Sequence, residues 1–152
     1  MDAISRSCVW PRERPVNGDS VRLEQVVCNL LENAAQYTHP RGEITLTLMR
    51  QETQVVLSVR DTGIGLAPEM LEGIFDLFAQ VDPSPARSGG GLGLGLAVVR
   101  RIVHLHDGRI EARSAGLGQG SEFIVRLPAL AEPRVALPSH RPQPPTEATY
   151  PS

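Results

Sequence analysis

The sequence predicts an α+β fold, a two-layer sandwich in which helices cover one face of a mixed β-sheet. Two observations predict it. One long segment repeats its apolar residues with helical spacing, and two pairs of strand-like segments are separated by a second helical region. The strict alternation of strands and helices that builds a doubly wound parallel sheet is missing from this order.

The first predicted element is a helix that Asp19 or Ser20 caps and that runs to about Tyr37. Its apolar residues share one face, at Leu23, Val26, Val27, Leu30, Leu31 and Ala34. Because Cys28 lies within this apolar pattern, we expect a buried and inert thiol there. The turn-forming residues 39–42 end the helix.

The remaining elements follow from alternation and from turn residues. Strands are expected over residues 44–48, 55–61, 110–114 and 122–127. Pro68 fits the first turn of a short helix that contains Phe75 and Phe78. A glycine-rich loop then leads into a longer helix from about Leu94 to Asp107, which Gly108 terminates.

Composition divides the chain into three parts. Residues 1–18 form a poorly specified lead-in with at most an edge strand near Val9, and residues 19–130 form the folded domain. Seven of the 25 residues from Pro128 onward are proline, and few are large and apolar. We therefore expect residues 131–152 to be a disordered, proline-rich tail or linker.

The overall charge and hydropathy exclude several classes of function. The net charge is −2, and all fifteen basic residues are arginine. This balance argues against binding nucleic acid through phosphate neutralisation, and the absence of lysine excludes a Walker A loop. No apolar run approaches the roughly 18 residues that span a bilayer, and the N-terminus has no signal-peptide core. We expect a cytoplasmic protein that contacts neither nucleic acid nor membrane.

A polar stripe runs along the first predicted helix. Asn29 and Asn33 are one turn apart, and Gln36 and Tyr37 continue the same side. Two interpretations stay open on these residues alone. The amides cap nearby backbone groups, or their oxygens bind a hard cation such as Mg²⁺.

Two glycine-rich motifs add to this stripe. Asp61 ends a strand and is followed by Gly63 and Gly65, which is typical either of an ordinary turn or of a carboxylate beside bare backbone that a flat ring can approach. Five glycines between Gly89 and Gly95 precede a helix, where backbone amides and the helix N-terminus suit a polyphosphate. The alternative for this second motif is a flexible hinge.

The order and spacing of these motifs resemble the ATP-binding domain of sensor histidine kinases. The N, G1, F and G2 boxes of that family are matched by NLLENAAQYT, DTGIG, FDLF and GGLGLGL, and the likeness continues through the closing helix and hairpin. It covers residues 19–130. The resemblance implies the Bergerat ATP-binding fold, which gyrase, the Hsp90 chaperones and MutL-type repair proteins share.

The resemblance also implies cofactors and residue roles. ATP and Mg²⁺ are the implied cofactors, with Asn33 holding the metal and Asn29 supporting it. Asp61 accepts a hydrogen bond from the adenine amino group, between Gly63, Gly65 and a covering Tyr37. Further implied nucleotide contacts are Phe75, Phe78, Gln80, Arg87, Gly91, Gly93, Gly95 and Leu96. Of these, Phe75 and Phe78 anchor a mobile lid over residues 80–90, and Arg87 joins Asn33 as a catalytic residue that neutralises phosphate charge.

Three departures from the family pattern qualify the implied function. Gln36 and Gln80 stand where relatives carry basic residues. The third departure concerns the histidine that accepts the phosphoryl group, which in the family lies on a helix of a separate dimerisation domain. None of the four histidines of this chain, His39, His104, His106 and His140, lies in such a helix. The implied function is that of a catalytic domain which transfers the ATP γ-phosphoryl group to a histidine on a separate dimerisation domain. A response regulator is then an indirect partner.

Three other functions compete with this one. An ATP-hydrolysing clamp needs a glutamate one turn before the metal-binding Asn33, but Asn29 stands there and Glu32 points about 100° away. An anti-sigma-type serine kinase has a similar length but a less similar F box and glycine loop. A non-catalytic remnant that binds ATP, or only a partner, is compatible with the missing acceptor.

Overall fold

The computed structural model describes residues 5–9, 16–77 and 94–131. The elements are β1 (Ser5–Val9), α1 (Ser20–Tyr37), β2 (Glu43–Gln51), β3 (Gln54–Asp61), a 3-10 helix (Pro68–Met70), α2 (Gly95–Leu105), β4 (Arg109–Arg113) and β5 (Ser121–Pro128). The predicted tail lies, apart from Ala131, outside the described residues. The predicted lid over residues 80–90 lies outside them as well.

All five strands form one sheet in the order β1-β2-β3-β5-β4. β1 runs parallel to β2, and the other three pairings are antiparallel. The predicted mixed sheet and α+β fold class are therefore confirmed. Neither α1 nor α2 is long and apolar enough to cross a bilayer, and the same holds for every helix in the described part of the chain.

Asp19 caps α1 as predicted, because its Oδ1 accepts hydrogen bonds from the backbone N–H groups of Val21 (3.0 Å) and Arg22 (3.3 Å). The fully buried face of the helix consists of Val26, Leu30 and Ala34. The expectation of a buried thiol at residue 28 is wrong, since Cys28 is exposed. It lies two residues from Val26 and from Leu30, and about 200° of rotation takes its side chain to the opposite side of the helix.

The core fills the space between the two helices and one face of the sheet. Its most deeply buried side chains come from α1, α2, β3 and β5, and they are Leu30, Val59, Val99, Val103, Phe123 and Val125. Phe75 packs edge-on against Phe123, with ring centroids 6.1 Å apart and an interplanar angle of 84°. Each such buried side chain contributes about 1.5–3 kcal/mol of hydrophobic stabilisation, so this layer fixes the helices over the sheet.

Two predicted helices are shorter in the structure. The helix expected from Pro68 to Phe78 is a single 3-10 turn over Pro68–Met70, and the chain then continues as turns through Leu77. Within these turns the Asp76 N–H donates to the Gly73 carbonyl at 3.0 Å, and a glycine at this position disfavours a continuous helix because of its backbone entropy. Phe78 lies outside the described residues.

The helix expected to reach Asp107 ends at Leu105. His106 is its C-cap, and Asp107 adopts a left-handed backbone with φ 57°. The N–H of Gly108 then bonds to the Val103 carbonyl at 2.9 Å, which closes the helix end before β4 begins.

Candidate functional site

Asp61 is the charged residue on which the candidate site is built. It ends β3 and has only 3 % of its surface exposed, and no other charged residue in the described part of the chain is buried. Its Oδ1 accepts from the N–H groups of Gly63 (2.8 Å) and Ser121 (3.3 Å), and its Oδ2 accepts from the Ser121 hydroxyl (2.6 Å). An ionised carboxylate offers about four acceptor positions. Three are used, and the fourth, on Oδ2, has no partner within the described part of the chain.

Ser121 is the residue of this site that sequence reasoning missed. It opens β5 directly opposite Asp61 in the antiparallel register between β3 and β5. Only that register brings two residues 60 positions apart into contact. The available signal was local: Gly118, Gln119 and Gly120 precede Ser121 and the strand, and their turn places the serine at the start of the ladder.

The glycines after Asp61 are required by the close approach of protein backbone. A Cβ atom at Gly63 would lie 2.1 Å from the Tyr37 carbonyl oxygen, which also accepts the Ile64 N–H at 3.1 Å. Gly65 has φ 70°, and a Cβ there would lie 2.1 Å from the Gly116 carbonyl oxygen. The loop is therefore pressed between the end of α1 and the turn between β4 and β5.

A small cavity opens beside Ser121, the hydrogen-bond partner of Asp61. It is lined by Asn33, Tyr37, Ile64, Gly65, Leu66, Ile74, Ser121 and Phe123. The predicted residues Asn33, Tyr37 and Gly65 thus meet at one place, together with the serine that bonds to the buried carboxylate, whereas Asp61 itself does not line the cavity. Phe75 does not line this cavity: it is buried behind it against Phe123, whereas its neighbour Ile74 forms part of the wall.

Asn29 connects α1 to α2. Its side-chain Nδ2 donates to the carbonyl oxygen of Gly95, in the first turn of α2, at 3.3 Å. This contact matches the interpretation in which the amide caps a backbone group, and it leaves the amide oxygen as the atom for any cation. Gly95 itself is exposed, with no atom within 4 Å of an added Cβ, while the Leu96 side chain belongs to the core.

Five of the sequence-predicted site residues lie outside the described residues. They are Phe78, Gln80, Arg87, Gly91 and Gly93. Among the residues that the structure does describe, no three His, Cys, Asp or Glu side chains come together as a metal site. The oxygen donors that fit a Mg²⁺ ion here are amide oxygens, and a bound polyphosphate would add its own oxygens to them.

Comparison with known proteins places this arrangement in a family. The model of the histidine kinase-, DNA gyrase B- and HSP90-like ATPases matches residues 18–131. The chain belongs to this family. The sensor protein SrrB of Staphylococcus aureus strain NCTC 8325 is 41% identical over 117 residues, which are 77% of this chain and 20% of SrrB. The chain thus spans about a fifth of the length of the curated relatives it matches.

The solved structures that resemble this chain include histidine kinases of this family. The mycobacterial sensor histidine kinase MprB superposes with a TM-score of 0.68 at 31% identity, over 75% of this chain and 76% of MprB. Full-length ShkA in complex with AMPPNP gives a TM-score of 0.69 at 34% identity, over 85% of this chain and 26% of ShkA. The resemblance to the histidine kinase ATPase domain is therefore confirmed, and this family implies ATP binding.

Proposed function

We propose that this chain is the ATP- and Mg²⁺-binding catalytic domain of a two-component sensor histidine kinase. It transfers the γ-phosphoryl group of ATP to a histidine on a separate dimerisation domain, and it acts in the cytoplasm. One observation carries the proposal: the buried carboxylate of Asp61 keeps one acceptor position open, and its partner Ser121 lines a small cavity together with Asn33 and Tyr37.

In this proposal, Asp61 selects adenine over guanine as the base of the bound nucleotide. The open position on its Oδ2 accepts one further N–H, which the 6-amino group of adenine supplies. Guanine presents a carbonyl oxygen at the same place, so two acceptors would face each other in a buried site. The Ser121 hydroxyl already donates to Oδ2 and therefore fixes the direction of the remaining acceptor position.

Asn33 and Asn29 serve the phosphate end. Asn33 would hold a magnesium ion through its amide oxygen, and Asn29 would support it from one turn earlier while its NH₂ group stays on the Gly95 carbonyl. The bound ion supplies positive charge that neutralises the phosphate oxygens. We propose that Arg87, Gln80, Gly91, Gly93 and Gly95 complete the phosphate contacts.

The nucleophile comes from another domain. His106 is unsuited to accept a phosphoryl group, because its Nε2 accepts the Asp19 N–H (3.1 Å) and its Nδ1 lies 2.8 Å from the Ile102 carbonyl. His39 is in a turn, and His104 is in the last turn of α2. In the proposed reaction, an acceptor imidazole attacks the γ-phosphorus, the bond to the bridging oxygen breaks, and ADP leaves. Positioning and charge stabilisation are what this domain contributes.

A response regulator follows in the proposed pathway, as the next acceptor of the phosphoryl group. The histidine kinase ThkA has been solved in complex with the response regulator TrrA, at 28% identity to this chain and a TM-score of 0.65. An ATP-hydrolysing clamp is less well supported. The side chain one turn before Asn33 is the amide of Asn29, which cannot remove a proton from water, and Glu32 is exposed.

The test combines binding with transfer. Titration calorimetry with ATP and Mg²⁺ should show binding by the parent chain and a roughly 5- to 100-fold weaker affinity for Asp61→Asn, since one buried acceptor becomes a donor. Asp76→Asn is the matched control, because Asp76 is exposed, and it should bind as the parent does. Asn33→Ala should abolish the magnesium-dependent part of the affinity.

Transfer is measured with γ-labelled ATP. The chain alone should retain no acid-labile phosphohistidine, and it should label a dimerisation hairpin with an acceptor histidine slowly in trans, because the two are not tethered. Label on a histidine of the chain itself would contradict the proposal. ATP binding without transfer to any cognate hairpin would show a non-catalytic, nucleotide-binding remnant.

A further inference from the structure

The turn between β4 and β5, residues 114–120, is joined to the loop that follows Asp61. The Gly118 N–H donates to the Ile64 carbonyl at 2.7 Å, and the Gly120 N–H donates to the Gly63 carbonyl at 3.1 Å. A Cβ atom at Gly120 would lie only 2.0 Å from the carbonyl oxygen of Asp61. The two loops are therefore in direct backbone contact, and the turn sets the position of the loop beside the cavity.

Ser114 lies where these two loops meet. Its Oγ accepts the Leu66 N–H at 3.0 Å and the Gly116 N–H at 3.2 Å. The same oxygen lies 2.7 Å from the Gly120 carbonyl and 3.2 Å from the Gly116 carbonyl. A hydroxyl has one proton and two acceptor positions, so it donates to the nearer carbonyl, that of Gly120, and its hydrogen-bonding capacity is fully used.

Two of the three partners of this hydroxyl connect it to the site. Leu66 is buried and lines the cavity, and Gly120 immediately precedes Ser121, whose hydroxyl and N–H bond to Asp61. Ser114 is only half-buried, and it does not line the cavity. Its hydroxyl thus connects the cavity wall on one side to the partner of the carboxylate on the other.

We propose that Ser114 is a positioning residue for the base half of the nucleotide site. The inference rests on the proposed function, since it assumes that adenine binds at Asp61. Ser114 acts through Leu66 and through Gly120 and Ser121. Without its hydroxyl, the Leu66 N–H and the Gly120 carbonyl lose their partner, and the two loops separate or admit water.

The binding test separates the base half from the phosphate half of the ligand. For Ser114→Ala we expect the Kd for ATP with Mg²⁺ to rise roughly 3- to 10-fold, while the Kd for inorganic tripolyphosphate with Mg²⁺ stays that of the parent. Ser114→Thr keeps a hydroxyl and should restore the ATP affinity. Ser58→Ala is the matched control, because its hydroxyl bonds to Glu122 and lies away from the cavity, and it should leave both affinities unchanged.

A second measurement does not depend on any ligand. Amide hydrogen exchange of the nucleotide-free protein should be faster at Leu66 and at residues 116–120 in Ser114→Ala than in the parent, with unchanged exchange in the core strand β5. Faster exchange throughout the chain would show a general loss of stability and would overturn the inference.

The binding outcomes distinguish this inference from the proposed function. If the parent chain and Ser114→Ala bind ATP equally, the role of Ser114 is wrong while the proposed function stands. Equal weakening of ATP and tripolyphosphate by Ser114→Ala would also exclude a role confined to the base half. If the parent chain itself binds no ATP, the proposed function and this inference fail together.

Discussion

The Nε2 atom of His106 accepts a hydrogen bond from the backbone N–H of Asp19, across 3.1 Å and 87 positions of sequence. Asp19 is the N-cap of α1, and His106 is the C-cap of α2. Because Nε2 accepts, the ring proton is on Nδ1 and is donated to the Ile102 carbonyl at 2.8 Å. One imidazole thus connects the start of the helix that carries Asn29 and Asn33 to the end of its neighbour.

Because of this contact, we expect the substitution His106→Ala to lower the stability of the protein. We expect the free energy of unfolding to fall by about 1–3 kcal/mol, since the Asp19 N–H loses its acceptor and the ring no longer packs against Gly18. Urea unfolding measures the change. His104→Ala is the control: His104 is exposed on the same helix and should change the stability by less than about 0.5 kcal/mol. Equal losses for the two variants would contradict the role given to His106.

Gly63 and Gly95 should respond oppositely to the same substitution. Gly63→Ala places a Cβ 2.1 Å from the Tyr37 carbonyl oxygen, so the loop beside Asp61 must move, and we expect a loss of more than about 2 kcal/mol together with weaker ATP binding. Gly95→Ala meets no atom within 4 Å and should be neutral or stabilise α2 by up to about 1 kcal/mol. Thermal unfolding of both variants checks this, and a tolerated alanine at Gly63 would refute the close approach.

Ser121→Ala should weaken the binding of ATP and its discrimination from GTP. The variant removes the hydroxyl that donates to Asp61 Oδ2 at 2.6 Å, and the carboxylate is then free to turn. We expect a loss of roughly 1–3 kcal/mol in the free energy of ATP binding. Competition between labelled ATP and unlabelled ATP or GTP measures both effects, with Ser121→Thr as the variant that keeps the hydroxyl. Unchanged affinity in Ser121→Ala would remove this serine from the site.

The pH dependence of stability should include a small contribution from Glu111. Hydrogen bonding to Arg126 (2.8 Å) lowers the pKa of Glu111 below its ordinary value of 4.5, and Arg113 adds to this through its charge and a second hydrogen bond. A carboxyl group with a lowered folded-state pKa stabilises the protein above the unfolded value, and this stabilisation disappears as the pH falls through the folded value. The contribution is therefore complete above about pH 5 and is lost in more acidic solution.

The substitution Glu111→Gln measures this contribution of Glu111 to the stability of the protein. The glutamate side chain is 40% exposed, so screening keeps the expected difference from the parent below about 1 kcal/mol near pH 7. The difference should shrink as the pH approaches 3 and should also shrink at high salt. A difference that is the same at pH 3 and pH 7 would show that packing, not charge, accounts for it.

Helices and strands whose apolar residues lie on one side could be predicted from the sequence. Features that depend on contacts between residues far apart in the sequence could not. The apolar face of α1 and the alternation of β2 and β3 are local properties, and all three elements lie where they were expected. The helix expected after Pro68 is only a 3-10 turn, and Gly73, a poor helix former, lies in the turns that follow it. Ser121 and Ser114 could not be identified from the sequence. Ser121 meets Asp61 only after β5 has paired with β3, and Ser114 meets Leu66 only after the turn between β4 and β5 has packed on the loop that follows Asp61. The roles of Asn33, Tyr37 and Asp61 stay predictions, although Asn33 and Tyr37 line one cavity with Ser121, the partner of Asp61.

The position of β5 in the sheet also determines at which stage of synthesis the fold can be completed. β5 is the last strand in the described part of the chain, yet it inserts between β3 and β4 and carries the partner of Asp61. A polypeptide leaving the ribosome has already made α1, β2 and β3, but its sheet lacks a central strand until residues 121–128 emerge. We therefore expect a partly synthesised domain to lack the contact between Asp61 and Ser121, and we expect folding to be completed in one late, cooperative step.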